Sequence, residues 1–422
     1  MTNYSTTIGV IAEIYDGPHA TPEKSDSGPY FLSISSLEKG RLDLSKSAHL
    51  SEADFEKWTK RVTPQNGDLL FSYETRLGEA ALMPHGIQAC LGRRMGLLRA
   101  KKNKVIPEYL LYAYLSPQFQ QTIKTNTIKG ATVDRISLNE LPNFSIRIPN
   151  IEEQRKVAGL LSAIDAKIEL NNRINAELEA MAKTLYDYWF VQFDFPFDFA
   201  QGKSTANGKP YKSSGGKMVY NPTLKREIPV GWDDNTIGEI EPNIVTGKTP
   251  STDNSEYFGG EIPFITIGDI RDNTFIVDVE QSLSLKGANT QNNKFLPEGA
   301  ICVTCIASPG LVGIVTKLSQ TNQQINSVIC SNDYDRSFLY FAINDYFKGA
   351  KAKTGNTFAN MNKGDFIGIP VLKPRVDVLE FFHSNVNASF ELVKTKSIEN
   401  SQLKKLRDWL LPMLMNGQVT VK

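Results

Sequence analysis

The chain is poor in the residues and runs that several protein classes require. It has four cysteines, Cys90, Cys302, Cys305 and Cys330, in 422 residues. That is far too few for a disulfide scaffold and fits a reduced cytoplasm. No run of about 18 apolar residues occurs, so no transmembrane helix is expected. Residues 1–10 show neither a basic start nor an apolar stretch, so no signal peptide is expected. The four histidines, His19, His49, His85 and His383, are scattered and suggest neither a triad nor a metal cluster. There is no excess of positive charge: 47 basic and 46 acidic side chains give a net +1, unlike a globally basic nucleic-acid binder. Glycine and proline, 30 and 21 residues, are at ordinary levels, which excludes a collagen-like or low-complexity chain.

Catalytic and cofactor motifs are missing as well. Cys302-Val-Thr-Cys305 has the CxxC form, but no second Cys or His pair follows at zinc spacing. On a strand, residues three apart face opposite ways. Gly247-Lys248-Thr249 resembles the tail of a phosphate-binding loop, yet Pro242 stands where the earlier glycine is needed. No GxGxxG occurs. Asp194-Phe-Pro-Phe197 and Asn221-Pro222-Thr223 each lack the second proline of an amino-methyltransferase signature. The absence of a catalytic constellation points to binding rather than chemistry.

What is present is enough apolar residue, 41% against 22% charged, to exclude a disordered chain. The length suggests two or three domains with sizeable cores. Charge is segmented. Residues 1–150 sum to +3, 151–200 to −4, 201–226 to +6, 227–374 to −6 and 375–422 to +2. Between Gly92 and Pro107, Arg93, Arg94, Arg99, Lys101, Lys102 and Lys104 stand without an acid. Such a stretch can face phosphates even in a neutral protein.

The chain also repeats itself. Thr7-Ile8-Gly9 matches Thr236-Ile237-Gly238, and Phe31-Leu32-Ser33-Ile34 matches Phe264-Ile265-Thr266-Ile267. Gly67-Asp68-Leu69-Leu70-Phe71-Ser72 matches Gly299-Ala300-Ile301-Cys302-Val303-Thr304, with Gly78 on Gly310. Gly130, Thr132 and Pro149 match Gly355, Thr357 and Pro374. The common order argues for two copies of one module, at a period far too long for a solenoid. Each copy is followed by a helical pattern. Val157, Leu161, Ile164, Ile168, Asn171, Asn175, Leu178, Ala182, Leu185 and Trp189 alternate spacings of four and three, a heptad seam. The second copy offers Phe382, Val386, Ser389, Val393, Lys396, Asn400, Leu403, Arg407, Leu410 and Leu414, with Asn416-Gly417 as the stop. About 40 residues at 1.5 Å each make a rod of roughly 60 Å. Polar centres at Asn171 and Asn175, and at Lys396 and Asn400, would meet if the helices pair antiparallel, fixing register at a cost in stability.

The fold class expected is mixed α/β or α+β. Two similar globular modules are joined by two long antiparallel helices in a coiled coil with pseudo-two-fold symmetry. Tyr30–Ile34, Asp68–Ser72, Phe144–Ile148, Phe264–Ile267, Ala300–Cys305, Gly313–Thr316 and Phe366–Leu372 read as strands, and Tyr109–Leu115 as a short helix. The boundaries are 1–149 for the first module, 150–192 for its helix, 193–228 for an extended Gly/Ser/Lys/Pro-rich linker, 229–374 for the second module and 375–417 for the second helix. Two modules on paired rods resemble a dimer fused into one chain, and symmetric DNA readers place modules about 34 Å apart on half-sites. Because the modules differ, so should the half-sites.

Ile151-Glu-Glu-Gln-Arg-Lys-Val157 through Leu185-Tyr-Asp-Tyr-Trp-Phe190 resembles the central conserved region of type I restriction–modification specificity subunits. Thr246-Gly-Lys-Thr-Pro250 with Ile262-Pro-Phe-Ile265 and Gly268-Asp-Ile270 resembles the start of their target recognition domains. Gly67-Asp-Leu-Leu70, Gly78 and Gly92-Arg-Arg94 look like their middle. Ser213-Ser-Gly-Gly-Lys-Met-Val219 to Lys225-Arg-Glu-Ile-Pro229 is similar to their linkers. The resemblance covers essentially the whole chain. It implies that each module reads one half of a bipartite, asymmetric double-stranded DNA target and that the helices set the spacer. It implies no catalysis or cofactor in this chain. Two methyltransferase subunits would bring S-adenosylmethionine, restriction subunits would bring ATP and Mg, and no membrane is involved. The expected DNA contacts are Arg76, Arg93, Arg94, Lys129 and Thr132 in module one. In module two they are Lys248, Thr249, Ser308, Lys353, Asn356, Thr357 and Asn360, with Lys348 and Lys351 adding charge to the same face. Tyr186, Tyr188, Phe190 and Trp409 are candidates to extend beyond the seam towards the methyltransferase. Two other readings stay open: a coiled-coil scaffold without DNA binding, and an S-adenosylmethionine-dependent methyltransferase.

Overall fold

The computed structural model describes residues 4–18, 20–354 and 360–421, apart from the side chains of 352–354. It divides into two compact units, residues 1–168 with 403–422, and residues 169–402. Each unit holds one module and one stretch of each long helix.

In the first unit the strand Ser5–Thr7 pairs antiparallel with Ser145–Arg147, closing the module just before its helix begins at Ile151. Between these lies a four-stranded antiparallel sheet in the order Ala12–Asp16, Met95–Ala100, Leu69–Ser72, Ala80–Leu82. A three-stranded sheet, Ala48–His49, Ser25–Phe31, Ala89–Cys90, stands beside it, its last pairing parallel. The strand Leu69–Ser72 is apolar on both faces because both are covered. Leu69 and Phe71 pack with Tyr109 and Tyr114, whereas Leu70 packs with Leu97 and Met83. Tyr109 and Tyr114 come from the helix Pro107–Leu115, whose proline sits in the first turn, where its missing N–H costs nothing.

The second unit repeats this scheme. Asp233–Thr236 pairs antiparallel with Pro370–Lys373. The main sheet runs Ile244–Thr246, Ile325–Val328, Ile301–Thr304, Val312–Val315, Phe275–Ile276, and the smaller one Gln281–Leu283, Phe258–Ile265, Gln320–Thr321. Ile301 and Val303 face one apolar cluster and Cys302 the other, as period-two alternation requires. The matched glycines have one backbone reason. Gly67 and Gly299 have φ of +84° and +87°, and Gly78 and Gly310 are both at +88°, the left-handed region that glycine enters without strain.

The long helices are Ile151–Tyr186 and Val376–Asn416. Asn150 caps the first, its Oδ1 accepting from Glu153 N–H at 2.9 Å. Gly417, at φ +77°, ends the second. They run antiparallel in both units. In the first unit Arg407 donates to Asp165 (2.8 Å), and Val157 and Leu161 share a cluster with Leu410 and Leu414. In the second unit Asn171 Nδ2 donates to Asn400 Oδ1 (3.0 Å), Asn175 to Ser397 (3.2 Å), and Tyr186 lies against Phe382. Leu161, Ile164, Ile168, Asn171, Val386, Val393 and Asn400 are buried; Asn175, Leu178, Leu185, Leu403 and Leu410 are half-buried.

Two expectations are corrected. Residues 193–228 are not an extended linker. They form a three-stranded sheet (Pro196–Asp198, Lys203–Ser204, Lys209–Pro210) and a hairpin (Met218–Asn221, Arg226–Pro229). Alternate aromatics drive this: Phe195 stacks on Tyr211 (centroids 4.8 Å apart) and on Trp232 (4.9 Å). Lys212, Ser213, Ser214 and Gly215 of the segment occupy one of its turns. Phe366 and Ile367, expected in a strand, end the helix Lys363–Ile367, because Asn362 caps it by accepting from Asp365 N–H.

Candidate nucleic-acid interface

At one end of each main sheet, three chain segments are tied by the same backbone hydrogen bonds. In module one Tyr73 N–H donates to Arg94 C=O (3.1 Å), and Ile136 N–H to Tyr73 C=O (2.8 Å). In module two Cys305 N–H donates to Gln324 C=O (2.9 Å), and Met361 N–H to Cys305 C=O (2.9 Å). Gly92-Arg93-Arg94-Met95 is a β-turn closed by Met95 N–H on Gly92 C=O (3.2 Å), and Asn322-Gln323-Gln324-Ile325 is closed likewise at 3.3 Å. The outer strand leans on each turn through a glycine: Gly17 N–H donates to Met95 C=O, and Gly247 N–H to Ile325 C=O. A Cβ on Gly17 would lie 2.7 Å from Gly92 O, and one on Gly247 2.1 Å from Asn322 O. No other residue permits that approach. Thr75 and Ala307, the residues two beyond Tyr73 and Cys305, both take positive φ, +69° and +64°.

The side chains laid on this shared frame differ. In module one they are charged and paired. Arg94 Nε lies 3.0 Å from Glu74, and its Nη1 donates to Thr75 Oγ1. Arg76 donates to the carbonyls of Ile34 and Ser35 and lies 3.6 Å from Glu79. Lys129, 82% exposed, pairs with Asp134, lowering that carboxyl's pKa chiefly through the hydrogen bond. Thr132 is exposed on the same loop. Arg93 is exposed, with no side-chain partner among the described residues.

Module two uses neutral groups. Thr249 Oγ1 donates to Gln323 Oε1 (2.7 Å). Asn322 and Gln324 are joined through their side-chain amides. Asn360 Oδ1 accepts from Ala307 N–H, and Ser308 C=O accepts from Thr304 Oγ1. Lys248 is exposed, its backbone held by Thr321 C=O and by the buried Gln291 amide. Lys348 and Lys351 are exposed, one helical turn apart on Asp333–Thr354. The Lys353 side chain, Asn356, Thr357 and His19 lie outside the described residues.

Part of the basic stretch after Gly92 does not face outward. Arg99 is committed to the buried Asp68 (2.7 Å) and Thr63 C=O, and Lys101 to Gly9 C=O. A strand that crosses a module needs internal partners for its long side chains, and these are they. Tyr186 and Phe190 are core residues packed with Phe338, Phe341 and Phe382, while Tyr188 and Trp409 are exposed. The turn Asn322-Gln323-Gln324 was missed in the sequence reading. Sliding Gly92-Arg93-Arg94 along the repeat reaches it, but no residue identity marks the match. Gln154 was read only as part of a motif. Its buried side chain accepts from Ile106 N–H and donates to Lys104 and Pro149 carbonyls, pinning the module to its helix.

Among the described residues no group of three His, Cys, Asp or Glu is placed to hold a metal, and no helix is long and apolar enough to cross a membrane. Residues 21–180 and 229–399 match the family model described as type I restriction modification DNA specificity domain. Among curated proteins, the chain is 32% identical over 367 residues to the type I restriction enzyme HindI specificity subunit of Haemophilus influenzae, covering 76% of this chain and 80% of that protein. It is 24% identical over 388 residues to the MjaIX specificity subunit of Methanocaldococcus jannaschii, covering 89% and 82%. The crystal structure of a type I restriction–modification S subunit from M. genitalium shares the fold, with a TM-score of 0.57 at 16% identity over 97% of this chain and 95% of that one. With two family matches laid over two copies of one fold, the chain belongs to the type I restriction–modification DNA specificity subunit family.

Proposed function

We propose that each module reads one half of an asymmetric bipartite DNA target with the segments that converge at its sheet end. These are residues 74–76, 92–94 and 129–134 in module one, and 248–249, 306–308, 322–324 and 360 in module two. The observation that carries this is the pair of backbone frames tied by matching hydrogen bonds and bearing unlike side chains. A constant frame with variable tips is how one scaffold reads different sequences, while backbone and Lys or Thr contacts to phosphate hold it in register. The chain itself is not catalytic. The helices dock two methyltransferase subunits, which carry S-adenosylmethionine, and restriction subunits carry ATP and Mg. Methylation mapping of DNA from cells expressing the chain with its methyltransferase subunit tests this. Two unlike half-sites around a fixed spacer are expected, and a continuous palindrome would overturn it.

A further inference from the structure

The four-residue turns at Gly92–Met95 and Asn322–Ile325 share a division of labour. The third residue is spent on the protein: Arg94 sits at φ +70° and is held by Glu74, and Gln324 is tied to Asn322. The second residue stands at the tip and is exposed: Arg93 in one module, Gln323 in the other. The other candidate arginine of module one is occupied by two backbone carbonyls and Glu79. Arg93 alone among Arg76, Arg93 and Arg94 therefore has its whole guanidinium fork free. Gln323 is oriented by Thr249, which uses one lone pair of its carbonyl. The second lone pair and both amide protons remain.

We propose that the second residue of this turn is the base-reading position of each module, with Arg93 selecting guanine in one half-site and Gln323 selecting adenine in the other. This rests on the reading of the modules as DNA readers and deepens it. The chemistry is that of the major groove. A free fork spans guanine O6 and N7, and an amide gives N–H to adenine N7 while accepting from N6. The turn supplies what such a contact needs, a tip held by backbone bonds on both sides, so that little ordering is left to binding.

The experiment uses the full chain with its methyltransferase subunit. Methylation maps are collected for the unaltered protein, Arg93→Gln, Arg93→Lys and Gln323→Arg, with unfolding midpoints for each. Arg93→Gln should lower the preference for guanine at one position of one half-site about 10- to 100-fold and leave the other half-site unchanged. Gln323→Arg should replace adenine by guanine at one position of the other half-site. Arg93→Lys, which keeps the charge and loses the fork, should relax the same guanine. Overturning results are an unchanged motif in Arg93→Gln, a motif restored intact by Arg93→Lys, or weakening by the same factor on every sequence with a shallower salt dependence, the mark of a phosphate contact. If the unaltered protein yields no bipartite motif, the reading of the modules fails instead, and the two failures are distinct.

Discussion

The two modules share a sheet scheme, a pair of matched turns and positive φ at Gly67 and Gly299, Gly78 and Gly310, and Thr75 and Ala307, yet one ends in ion pairs and the other in amides and hydroxyls. Module one sets Arg94 on Glu74, Arg76 by Glu79 and Lys129 on Asp134. Module two sets Thr249 on Gln323, Asn322 on Gln324 and Thr246 on Asn326. Residues 227–374 sum to −6, an awkward total for a DNA reader judged on charge. The difference teaches that the second frame is built from neutral groups, of the chemistry that can recognise base edges without net charge. Affinity for phosphate need not be shared equally between two copies of a fold.

This comparison can be broken at several depths. The largest effect is expected in the aromatic core of the second unit. Phe190 is packed edge-on to Phe338 and Phe382 at 5.0 Å each. Phe190→Ala should cost about 3–5 kcal/mol and melt the second unit ahead of the first, giving two calorimetric transitions; one cooperative transition shifted as a whole would refute independent cores. Next is the joint of module one. Gln154 satisfies one N–H and two carbonyls. Gln154→Leu leaves them buried and should cost about 1–3 kcal/mol, read by denaturant midpoint. A neutral result would mean that water replaces the amide.

The polar layer gives a smaller effect of opposite sign. Asn171 and Asn400 are buried and bonded, but Asn171 Oδ1 has no partner. Replacing both by Leu should raise the unfolding midpoint, since buried polar layers trade stability for register; a lower midpoint would show that the layer stabilises the pair outright. The smallest and sharpest test concerns charge. Lys129→Ala, which removes an exposed charge from the module one loop, should reduce the salt slope of DNA binding by about one unit, whereas Gln323→Ala should leave the slope unchanged. Equal slopes in the two variants would erase the distinction between charged and neutral readers.

The long-range design is legible in the sequence alone. Heptad spacing marked both helices. Gly67, Gly78, Gly299 and Gly310 marked the repeat, because a left-handed backbone leaves few residues to choose from. The site was less legible. Arg99 and Lys101 look the same in sequence as Arg93, and only packing reveals that Asp68 and Gly9 consume them. Asn322-Gln323-Gln324 has no composition signal at all, since its shape is set by backbone bonds to residues far along the chain. The aromatics of 193–232 are masked by the Gly, Ser and Lys between them, a composition that reads as linker.

One feature of the closing strands reaches beyond mechanics. Each module enters and leaves through a single two-stranded ribbon, Ser5–Thr7 with Ser145–Arg147 and Asp233–Thr236 with Pro370–Lys373. On the function proposed above, everything that determines which bases are read lies between two chain points paired across one ribbon. A genetic exchange cut at those points would move a complete, self-closing reader into another member of the family. Inheritance of specificity would then be modular, with the helices kept and the tips traded.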